Sequence, residues 1–324
     1  MYLSILIVSE PMLASNNCGE NSGNLQTLQK VHTLNTTLTV KSGPSIRYAL
    51  RQNMQEEGAK MWRKVVPPTE HNSVGLAYGD NNAPVQADAE PCNSLGYVDQ
   101  SMGFMIAVKG DDTDAQKRPS QVRVSAGLSG SPFLDDVSFQ QGHSAVAGKS
   151  SKPVLQPFQR ERHLARYQTL VSFNLKTIPK ADLGFYLRAL RGLQVGGGHA
   201  GNLSEMTPSI LAWRLHAVNG QSGLYLGCGM DFPPDEPVNL GPLMERCRQL
   251  GITCNIAGYG QPVTIAQGLL DMQAAAEAHM SDNPTWEVPS YPPQNRKGKG
   301  KGKGKGKDEA PTEAPTETEP ESNA

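Results

Sequence analysis

The pattern of apolar and polar residues predicts a strand at the start of the chain and a helix soon after it. Residues 2–8 form a short apolar run that is typical of a buried strand. Residues 15–24 consist mostly of Ser, Asn, Gly and Glu and predict a loop. Pro44 suits the first turn of a helix, and apolar residues spaced three or four apart continue toward Gly58, so we expect a helix between these two residues.

Periodic segments return beyond residue 100. Segments in which apolar residues alternate with polar ones, or follow one another without interruption, predict strands. Segments in which apolar residues recur every three or four positions predict helices. Asp182 is expected to cap one helix and Gly192 to end it. Because strands and helices alternate irregularly, the order favours an α+β fold over a doubly wound one. The predicted strands are 104–108, 121–124, 167–175, 209–218, 224–227 and 252–256, and the predicted helices are 182–192, 240–250 and 265–279.

Two long segments interrupt this pattern. Residues 67–96 are rich in Pro, Asn, Gly and acidic residues, and residues 111–159 are rich in Gly, Ser, Pro and Gln. Neither has a sustained period apart from the short strand at 121–124. We interpret them as parts of two insertions, at about 59–103 and 109–165.

The insertions interrupt a single domain that we expect to span residues 1–282. Residues 283–295 follow as a Pro-containing linker. Residues 296–324 are a Lys-Gly repeat and then an acidic stretch, a composition that cannot build a core, and they predict a disordered tail.

The charged residues are unevenly distributed, although their total nearly cancels. The chain has 30 Lys and Arg against 31 Asp and Glu, a net charge of −1. Residues 30–64 carry seven bases and two acids, and residues 117–191 carry twelve bases and four acids. Residues 65–116 and 192–295 are acidic. Because a basic surface attracts polyanions whatever the total charge, the balance does not exclude RNA or DNA as a partner.

The cysteines, histidines and apolar runs exclude several classes of protein. Five cysteines, with no two separated by two residues, indicate neither a disulfide framework nor a four-ligand zinc site. We therefore expect a reducing, cytoplasmic setting. No segment is apolar for long enough to cross a bilayer, so we expect no membrane partner. The seven histidines are scattered, and we expect no catalytic residue, no metal and no cofactor.

Two glycine-containing segments are similar to phosphate-binding motifs. Residues 196–201 match G-x-G-x-x-G, but they follow a predicted helix instead of a strand, and no acidic residue lies about twenty positions further on. Their backbone N–H groups would still suit a phosphate, and a flexible turn is an equally good interpretation. Residues 147–150 lack the glycine that a P-loop needs five positions before Gly148, and they are interpreted as a loop.

The predicted helix start is the most informative candidate for nucleic-acid binding. The hydroxyls of Ser42 and Ser45 and the unpaired N–H groups of the first turn form a site for an anion. Lys41 is expected just outside this turn, and Arg47 and Arg51 lie four apart on one face. If Arg47 and Arg51 are considered alone, the alternative interpretation is a basic helix face that is exposed to solvent and binds no nucleic acid. Further basic clusters, each weak alone, contain Lys117, Arg118 and Arg123 and the arginines of residues 160–166.

These segments together resemble the DevR branch of the CRISPR effector backbone subunits, which is found in type I-B Cascade complexes. The resemblance covers roughly residues 1–220 and is most specific at 14–51. It is carried by the order of the segments 14–30, 42–51, 117–125, 161–167 and 196–201.

The resemblance implies an RRM-like (ferredoxin-like) palm with inserted finger and thumb elements. It also implies a non-catalytic subunit that binds CRISPR RNA, oligomerises with copies of itself along the guide, joins other effector subunits and presents the guide for pairing with target DNA. Related subunits in RNA-targeting complexes cleave RNA with a loop aspartate, but this chain has no Asp before Asp80. The resemblance therefore predicts no nuclease activity.

Carried over by position, the RNA-binding residues fall into three groups. Those expected near the guide backbone are Asn16, Asn17, Gln26, Lys41, Ser42, Ser45, Arg47 and Arg51. The glycine-rich contact would be made by Gly196, Gly197, Gly198, His199 and Asn202. Lys117, Arg118 and Arg123 would belong to the thumb or finger insertion.

Two other classes of function stay open at this point. A stand-alone single-stranded nucleic-acid-binding protein would share the basic helix but would need no subunit interface. A phosphate-handling enzyme would use residues 142–150 or 196–201, and it is disfavoured by their sequence contexts and by the missing general base.

Overall fold

The chain divides into two units, 1–288 and 289–324. The computed structural model describes residues 1–14, 18–22, 25–61, 63–65, 76–78, 101–106, 116–118, 120–134, 136–143, 155–193, 206–218, 222–224, 231–282 and 284, all in the first unit. The predicted tail, and the predicted linker except residue 284, lie outside the described residues. No helix in the described part of the chain is both long enough and apolar enough to span a membrane.

The described residues form strands and helices in irregular alternation. In chain order these are β1 (Tyr2–Ser9), β2 (Met12–Ala14), β3 (Cys18–Ser22), β4 (Leu25–Leu28), β5 (Lys30–His32), β6 (Thr37–Lys41), α1 (Gly43–Glu56), β7 (Arg63–Val65), β8 (Leu76–Tyr78), β9 (Phe104–Ile106), β10 (Gln116–Arg118), β11 (Val122–Val124), β12 (Gly127–Ser129), β13 (Val137–His143), β14 (Leu155–Glu161), β15 (His163–Ala165), β16 (Tyr167–Asn174), α2 (Lys180–Arg191), β17 (Pro208–His216), α3 (Gly241–Gln249), β18 (Asn255–Gly258) and α4 (Ile265–Glu277).

One eight-stranded sheet organises the fold. Its order is β18-β17-β1-β16-β12-β6-β5, and β11 also pairs with β16 beyond the end of β12. The pairings of β1 with β16 and β17, and of β16 with β11, are antiparallel. The elements β1, α1, β11, β16, α2 and β17 therefore give a β-α-β-β-α-β succession whose strands lie in the order β17-β1-β16-β11. The α+β class expected from the sequence is confirmed.

Both faces of the central strand β1 are buried, because its apolar residues do not alternate with polar ones. Leu3, Ile5 and Ile7 point into the larger core, which is shared with α1, α2 and α4. Leu6 and Val8 point into a second core on the opposite face. That core is closed by the apolar side chains of Leu224, Phe232, Leu243 and Cys247. The sheet therefore has helices on both sides.

Smaller sheets surround the central one. Strands β13, β14, β4 and β3 form a four-stranded sheet in which β14 and β4 run parallel. Three two-stranded ribbons pair β2 with β15, β7 with β8, and β9 with β10. The four-stranded sheet joins the N-terminal segment 18–28 to residues 137–161, which are more than one hundred positions away.

Several sequence expectations about individual elements are wrong. The predicted loop 15–24 contains β3, and the segment 111–159 contains β10, β12, β13 and β14 besides the expected β11. These strands are stabilised by partners distant in sequence, such as β4 for β14, so local composition does not reveal them. Asp182 lies in the first turn of α2, which is capped at Pro179. The strand predicted at 252–256 is β18 at 255–258, and residues 225–227 of the strand predicted at 224–227 lie outside the described residues.

Candidate nucleic-acid interface

Helix α1 begins where the sequence predicts, with Ser42 as its N-cap. Ser42 is extended, with φ −64° and ψ 142°, and its Oγ accepts a hydrogen bond from the N–H of Ser45 at 3.3 Å. Gly43 and Pro44 occupy the first two helical positions. Pro44 has no N–H to leave unpaired, and its fixed φ suits the helix. The positive end of the helix dipole lies at this turn and favours an anion.

The start of α1 rests directly on the sheet. A Cβ atom placed on Gly43 would lie 2.9 Å from the carbonyl oxygen of Val124, at the end of β11. Only glycine allows this close approach. The first turn of α1 is thereby fixed against the connection between β11 and β12.

Lys41 lies inside the protein, although the sequence predicted it just outside the helix start. Its side chain is 2% exposed, and its Nζ lies 4.6 Å from the centroid of the Tyr167 ring. Burial lowers the pKa of Lys41 to about 7, because the interior penalises its charged form. The attraction between the ammonium and the ring faces opposes this penalty. Contact between Lys41 and RNA stays a prediction.

A chain of polar side chains continues from Tyr167. The Thr39 Oγ1 hydrogen-bonds the Tyr167 hydroxyl at 2.7 Å and the His163 Nδ1 at 2.8 Å. The His163 Nε2 is 3.1 Å from the carbonyl oxygen of Pro132. Burial lowers the pKa of His163. This network satisfies buried polar groups below the edge of the main sheet, and sequence analysis did not single it out.

Arg47 is held by the protein itself. Its guanidinium donates to the carbonyl oxygen of Val122 at 3.0 Å, to the Ser120 Oγ at 2.9 Å and to the carbonyl oxygen of Met102. Burial lowers the pKa of Arg47. Arg51, one turn further along α1, is 6% exposed. The two arginines share one face, as expected, but that face packs against the protein, so the solvated-face alternative is wrong.

The glycine-rich segment that includes Gly196, Gly197, Gly198, His199 and Asn202 lies outside the described residues, but its two ends are described. The N–H of Met206 donates to the carbonyl oxygen of Leu193 at 2.6 Å and brings those ends together. A Cβ atom on Gly127 would lie 3.6 Å from the Met206 Cε and 3.4 Å from the Lys41 Cβ. The base of the glycine-rich segment therefore adjoins the strand that leads into α1.

The remaining predicted residues lie elsewhere. Arg123 is exposed on β11 and is paired in register with Ser172, which lies on the sheet face opposite to the one that packs on α1. Gln26 is in β4, where its Oε1 accepts a hydrogen bond from the Arg160 Nε at 2.9 Å. Lys117 and Arg118 belong to β10, while Asn16 and Asn17 lie outside the described residues. Among the predicted site segments that the structure describes, it brings together the helix start and the two ends of the glycine-rich segment.

Two features near this region were missed by sequence reasoning. Tyr48 is exposed on α1, four residues after the exposed Pro44 and therefore on the same side of the helix. That spacing could have revealed it as an aromatic residue able to stack on a base. The second feature is an open groove of about 600 Å³, lined by Thr27, Leu28, Gln29, Lys30, Val31, His32 and Val40.

Lys30 forms one wall of the groove and is tightly fixed. Its Nζ lies 2.7 Å from the Glu161 Oε1 and 4.3 Å from the centroid of the Phe133 ring. The other carboxylate oxygen of Glu161 accepts the N–H of Leu28 at 2.7 Å. The floor of the groove is consequently rigid.

A serine and a histidine also meet in the sheet. The Ser4 Oγ lies 2.8 Å from the His216 Nε2, and the His216 Nδ1 lies 2.7 Å from the carbonyl oxygen of Val218. Ser4 is fully buried, so a substrate cannot reach it, and the pair satisfies polar groups inside the sheet. Among the residues that the structure describes, no group of His, Cys, Asp and Glu could hold a metal ion.

Comparisons with known proteins agree with the resemblance seen in the sequence. The family model described as CRISPR-associated negative auto-regulator DevR/Csa2 matches residues 12–239. A Myxococcus xanthus (strain DK1622) protein named CRISPR-associated protein Cas7/Cst2/DevR is 28% identical over 221 residues, which are 62% of this chain and 68% of that protein.

The fold has a counterpart among solved structures. A chain of a CRISPR RNA-guided surveillance complex, pre-nicking, has a TM-score of 0.54 and 12% sequence identity, over 85% of this chain and 100% of that chain. At this identity the likeness shows a shared fold alone. The family match is a separate finding and extends over more than half of the chain. The chain therefore belongs to the DevR/Csa2 family of CRISPR-associated proteins, as its sequence predicted.

Proposed function

We propose that this chain is a non-catalytic backbone subunit of a type I-B CRISPR effector complex. It binds the sugar-phosphate backbone of CRISPR RNA, oligomerises along the guide beside other effector subunits and leaves bases free to pair with target DNA. Base pairing then reads the sequence, while the protein recognises only the backbone. Membership of the DevR/Csa2 family and the solved relative supply the context for this proposal.

One observation carries the proposal. The capped start of α1 lies beside the base of the glycine-rich segment, because a Cβ atom on Gly127 would lie within 3.6 Å of both the Lys41 Cβ and the Met206 Cε. The positive end of a helix dipole and the backbone N–H groups of glycine-rich turns both attract phosphate without regard to base identity. Two such elements side by side suit consecutive phosphates of one strand. Tyr48 adds an exposed ring on the same helix.

The order of the main sheet supports an RRM-like palm, with the segments between α1 and β16 as finger and thumb insertions. A β-α-β-β-α-β succession is the chain order of ferredoxin-like folds, and here its strands lie in the order β17-β1-β16-β11. RRM domains stack bases on the open face of the sheet. Here Leu6 and Val8 on that face are covered by Phe232 and Leu243. RNA is therefore expected at the start of α1 instead of on the sheet.

The test places a negative charge at the proposed phosphate site without weakening the helix. Ser45 is the third helical residue after the Ser42 cap, so Ser45→Glu builds a capping box and adds a favourable charge to the helix start. The same carboxylate would repel a phosphate. We expect Ser45→Glu to fold with wild-type stability or better, and to bind single-stranded RNA at least about tenfold more weakly, a loss that corresponds to about 1.4 kcal/mol.

Helix α4 provides the matched control. It is capped by Thr264, whose Oγ1 accepts from the N–H of Gln267 at 3.2 Å, and Gln267→Glu adds the same charge at the same helical position. We expect Gln267→Glu to bind RNA as the wild type does. Because the introduced carboxylate reduces the charge attraction to RNA, Ser45→Glu should also show a smaller salt slope of log K than the wild type. Equal affinity and slope for Ser45→Glu and the wild type would contradict the proposed site.

A further inference from the structure

We propose that Cys247 and Cys254 are a site of reversible oxidation, at which a low-molecular-weight disulfide such as glutathione disulfide converts the two thiols into one intramolecular disulfide. The bond joins the last turn of α3 to the residue that precedes β18, and we call it the staple. The inference goes beyond the proposed function, because no step of RNA binding uses a thiol.

The two thiols are already in contact. The S–H of Cys247 donates to the Sγ of Cys254, and the two sulfurs lie 3.6 Å apart. A disulfide holds its sulfurs about 2 Å apart, so the pair must approach by about 1.6 Å. Rotation of the two side chains, with a small shift of the loop between them, supplies an approach of this size.

The loop between the cysteines is short and has room to adjust. The N–H of Ile252 donates to the carbonyl oxygen of Cys247 at 2.9 Å, which folds the chain back toward α3. Gly251 has a φ of +61°, and a Cβ atom placed there would meet no atom within 4 Å. The backbone therefore brings the cysteines together while the outer side of the loop stays open.

A small oxidant can reach one of the two thiols but not the other. Cys247 is 4% exposed and packs in the second core with Leu224, Phe232 and Leu243. Cys254 is half-buried and packs at the margin of that core. We therefore expect Cys254 to meet the oxidant first and Cys247 to complete the bond.

The reaction consists of two thiol–disulfide exchanges. The Cys254 thiolate attacks one sulfur of glutathione disulfide, forms a mixed disulfide and releases one glutathione thiolate. The Cys247 thiolate then attacks the Cys254 sulfur and releases the second glutathione thiolate. The two protein thiols lose two electrons and two protons in total, and the glutathione disulfide gains them as two thiols. An excess of reduced thiol runs both steps backward.

The surroundings make the exchange slow and its product persistent. Burial, and to a smaller extent the neighbouring Cys247, raise the pKa of Cys254 to about 12, while the charge of Arg214 opposes the rise. Little thiolate is present at neutral pH, so the first step is slow. The same surroundings do not stabilise the thiolate form, and that stabilisation is what makes some protein disulfides strong oxidants. Once formed, the staple is expected to last until reductant is in excess.

The first experiment maps the staple in the full chain. The protein is incubated with glutathione disulfide near pH 8, free thiols are blocked, and the unreduced digest is analysed by mass spectrometry. We expect a peptide link between Cys247 and Cys254 that dithiothreitol removes. Cys247→Ala should stop at glutathione on Cys254, and Cys18→Ala, on β3, should keep the link. Wild-type protein in which the two cysteines stay reduced, or carry glutathione without a link, would overturn the inference.

The second experiment measures what the staple does to the fold. A disulfide restricts the unfolded chain, so the oxidised protein should unfold in urea at a midpoint higher by roughly 0.5–1 M than the reduced protein. Cys254→Ala given the same treatment should show no such rise. An oxidised wild type with the midpoint of the reduced protein would overturn the staple. Neither experiment uses RNA, so both outcomes are independent of whether the proposed function holds.

Discussion

Basic side chains around the start of α1 are held by the protein itself. Lys41 lies against the ring of Tyr167, and Arg47 is bonded to two carbonyl oxygens and to Ser120. Arg51 is buried in the packed side of the same helix. Ser42 and Ser45 at the helix start are half-buried, and this turn offers a phosphate their hydroxyls and the positive end of the helix dipole.

Replacing Lys41 by methionine should stabilise the protein in a pH-dependent way. Folding lowers the pKa of Lys41 from its ordinary value of 10.5 to about 7, so between these values the unfolded chain binds more protons than the folded one. The free energy of unfolding of the wild type therefore rises as the pH rises from about 7 to 10.5. Below about pH 7, the cost of burying the charged lysine is present in full. Each pKa unit corresponds to about 1.4 kcal/mol. We expect Lys41→Met to be more stable by several kcal/mol near pH 6, and the difference to shrink toward pH 10.

Urea unfolding at a series of pH values measures this difference. The matched control is Lys180→Met, whose side chain is 40% exposed and pairs with Glu277 at 3.9 Å. It should change stability by less than about 1 kcal/mol. A constant difference between Lys41→Met and wild type from pH 6 to pH 10 would show that burial does not lower the pKa of Lys41.

Replacing Arg47 by alanine tests whether this arginine supports the fold or contacts RNA. Its loss removes the guanidinium that donates to the carbonyl oxygens of Met102 and Val122, and we expect a fall in the free energy of unfolding of about 2–4 kcal/mol. Arg188→Ala, on an exposed arginine 3.3 Å from Glu57, should cost less than about 1 kcal/mol. If Arg47→Ala keeps wild-type stability and binds RNA with a smaller salt slope, Arg47 contacts phosphate.

Sequence alone could not place these side chains. A lysine or arginine in a local pattern indicates an exposed position, because a buried charge is rare unless it is paired. The partners described for Lys41 and Arg47 lie between 55 and 126 positions away, and they are Tyr167, Ser120, Val122 and Met102. By contrast, the start of α1 at residues 42–45 depends on neighbouring residues only, and it was predicted correctly.

At the scale of elements, the joint between α1 and β11 positions the candidate site. Gly43→Ala would push a Cβ atom to 2.9 Å from the carbonyl oxygen of Val124. Alanine is the better helix former, so any destabilisation must come from this contact. We expect a loss of about 1–3 kcal/mol in urea unfolding, with weaker RNA binding because the first turn is displaced.

Gly192→Ala is the control for this change. Gly192 ends α2 with φ −121°, and a Cβ atom there would meet no atom within 4 Å. It should alter stability by less than about 1 kcal/mol. A Gly43→Ala variant as stable as Gly192→Ala would mean that α1 does not press on β11 at this point.

The elements with a strong period were predictable, and those stabilised by distant pairing were not. Strands β1, β16 and β17 and all four helices of the described residues match predicted segments within a few residues. Strand β13 has only Val137 and Phe139 as apolar residues in alternation, and its pairing with β14 stabilises it. β14 in turn pairs with β4, far away in sequence. Such strands depend on tertiary contacts that composition does not encode.

At the scale of the molecule, the fold leaves few surfaces for RNA. Helices cover both faces of the main sheet, so the ends of the sheet and the start of α1 remain available. The α+β class followed from the irregular order of predicted strands and helices, and the family followed from motifs that are most specific at residues 14–51. The groove beside β5 did not follow, because its lining residues 27–40 are held in place by Glu161 and Phe133, which are far away in sequence.

In the proposed function, several copies of this chain bind side by side along one RNA. Native mass spectrometry of the purified protein with single-stranded RNAs of increasing length measures this directly. Under the proposed function, the masses should rise in steps of one 34.9 kDa protomer, each step requiring the same added number of nucleotides. A single protomer on RNAs of every length, or no bound RNA, would contradict it.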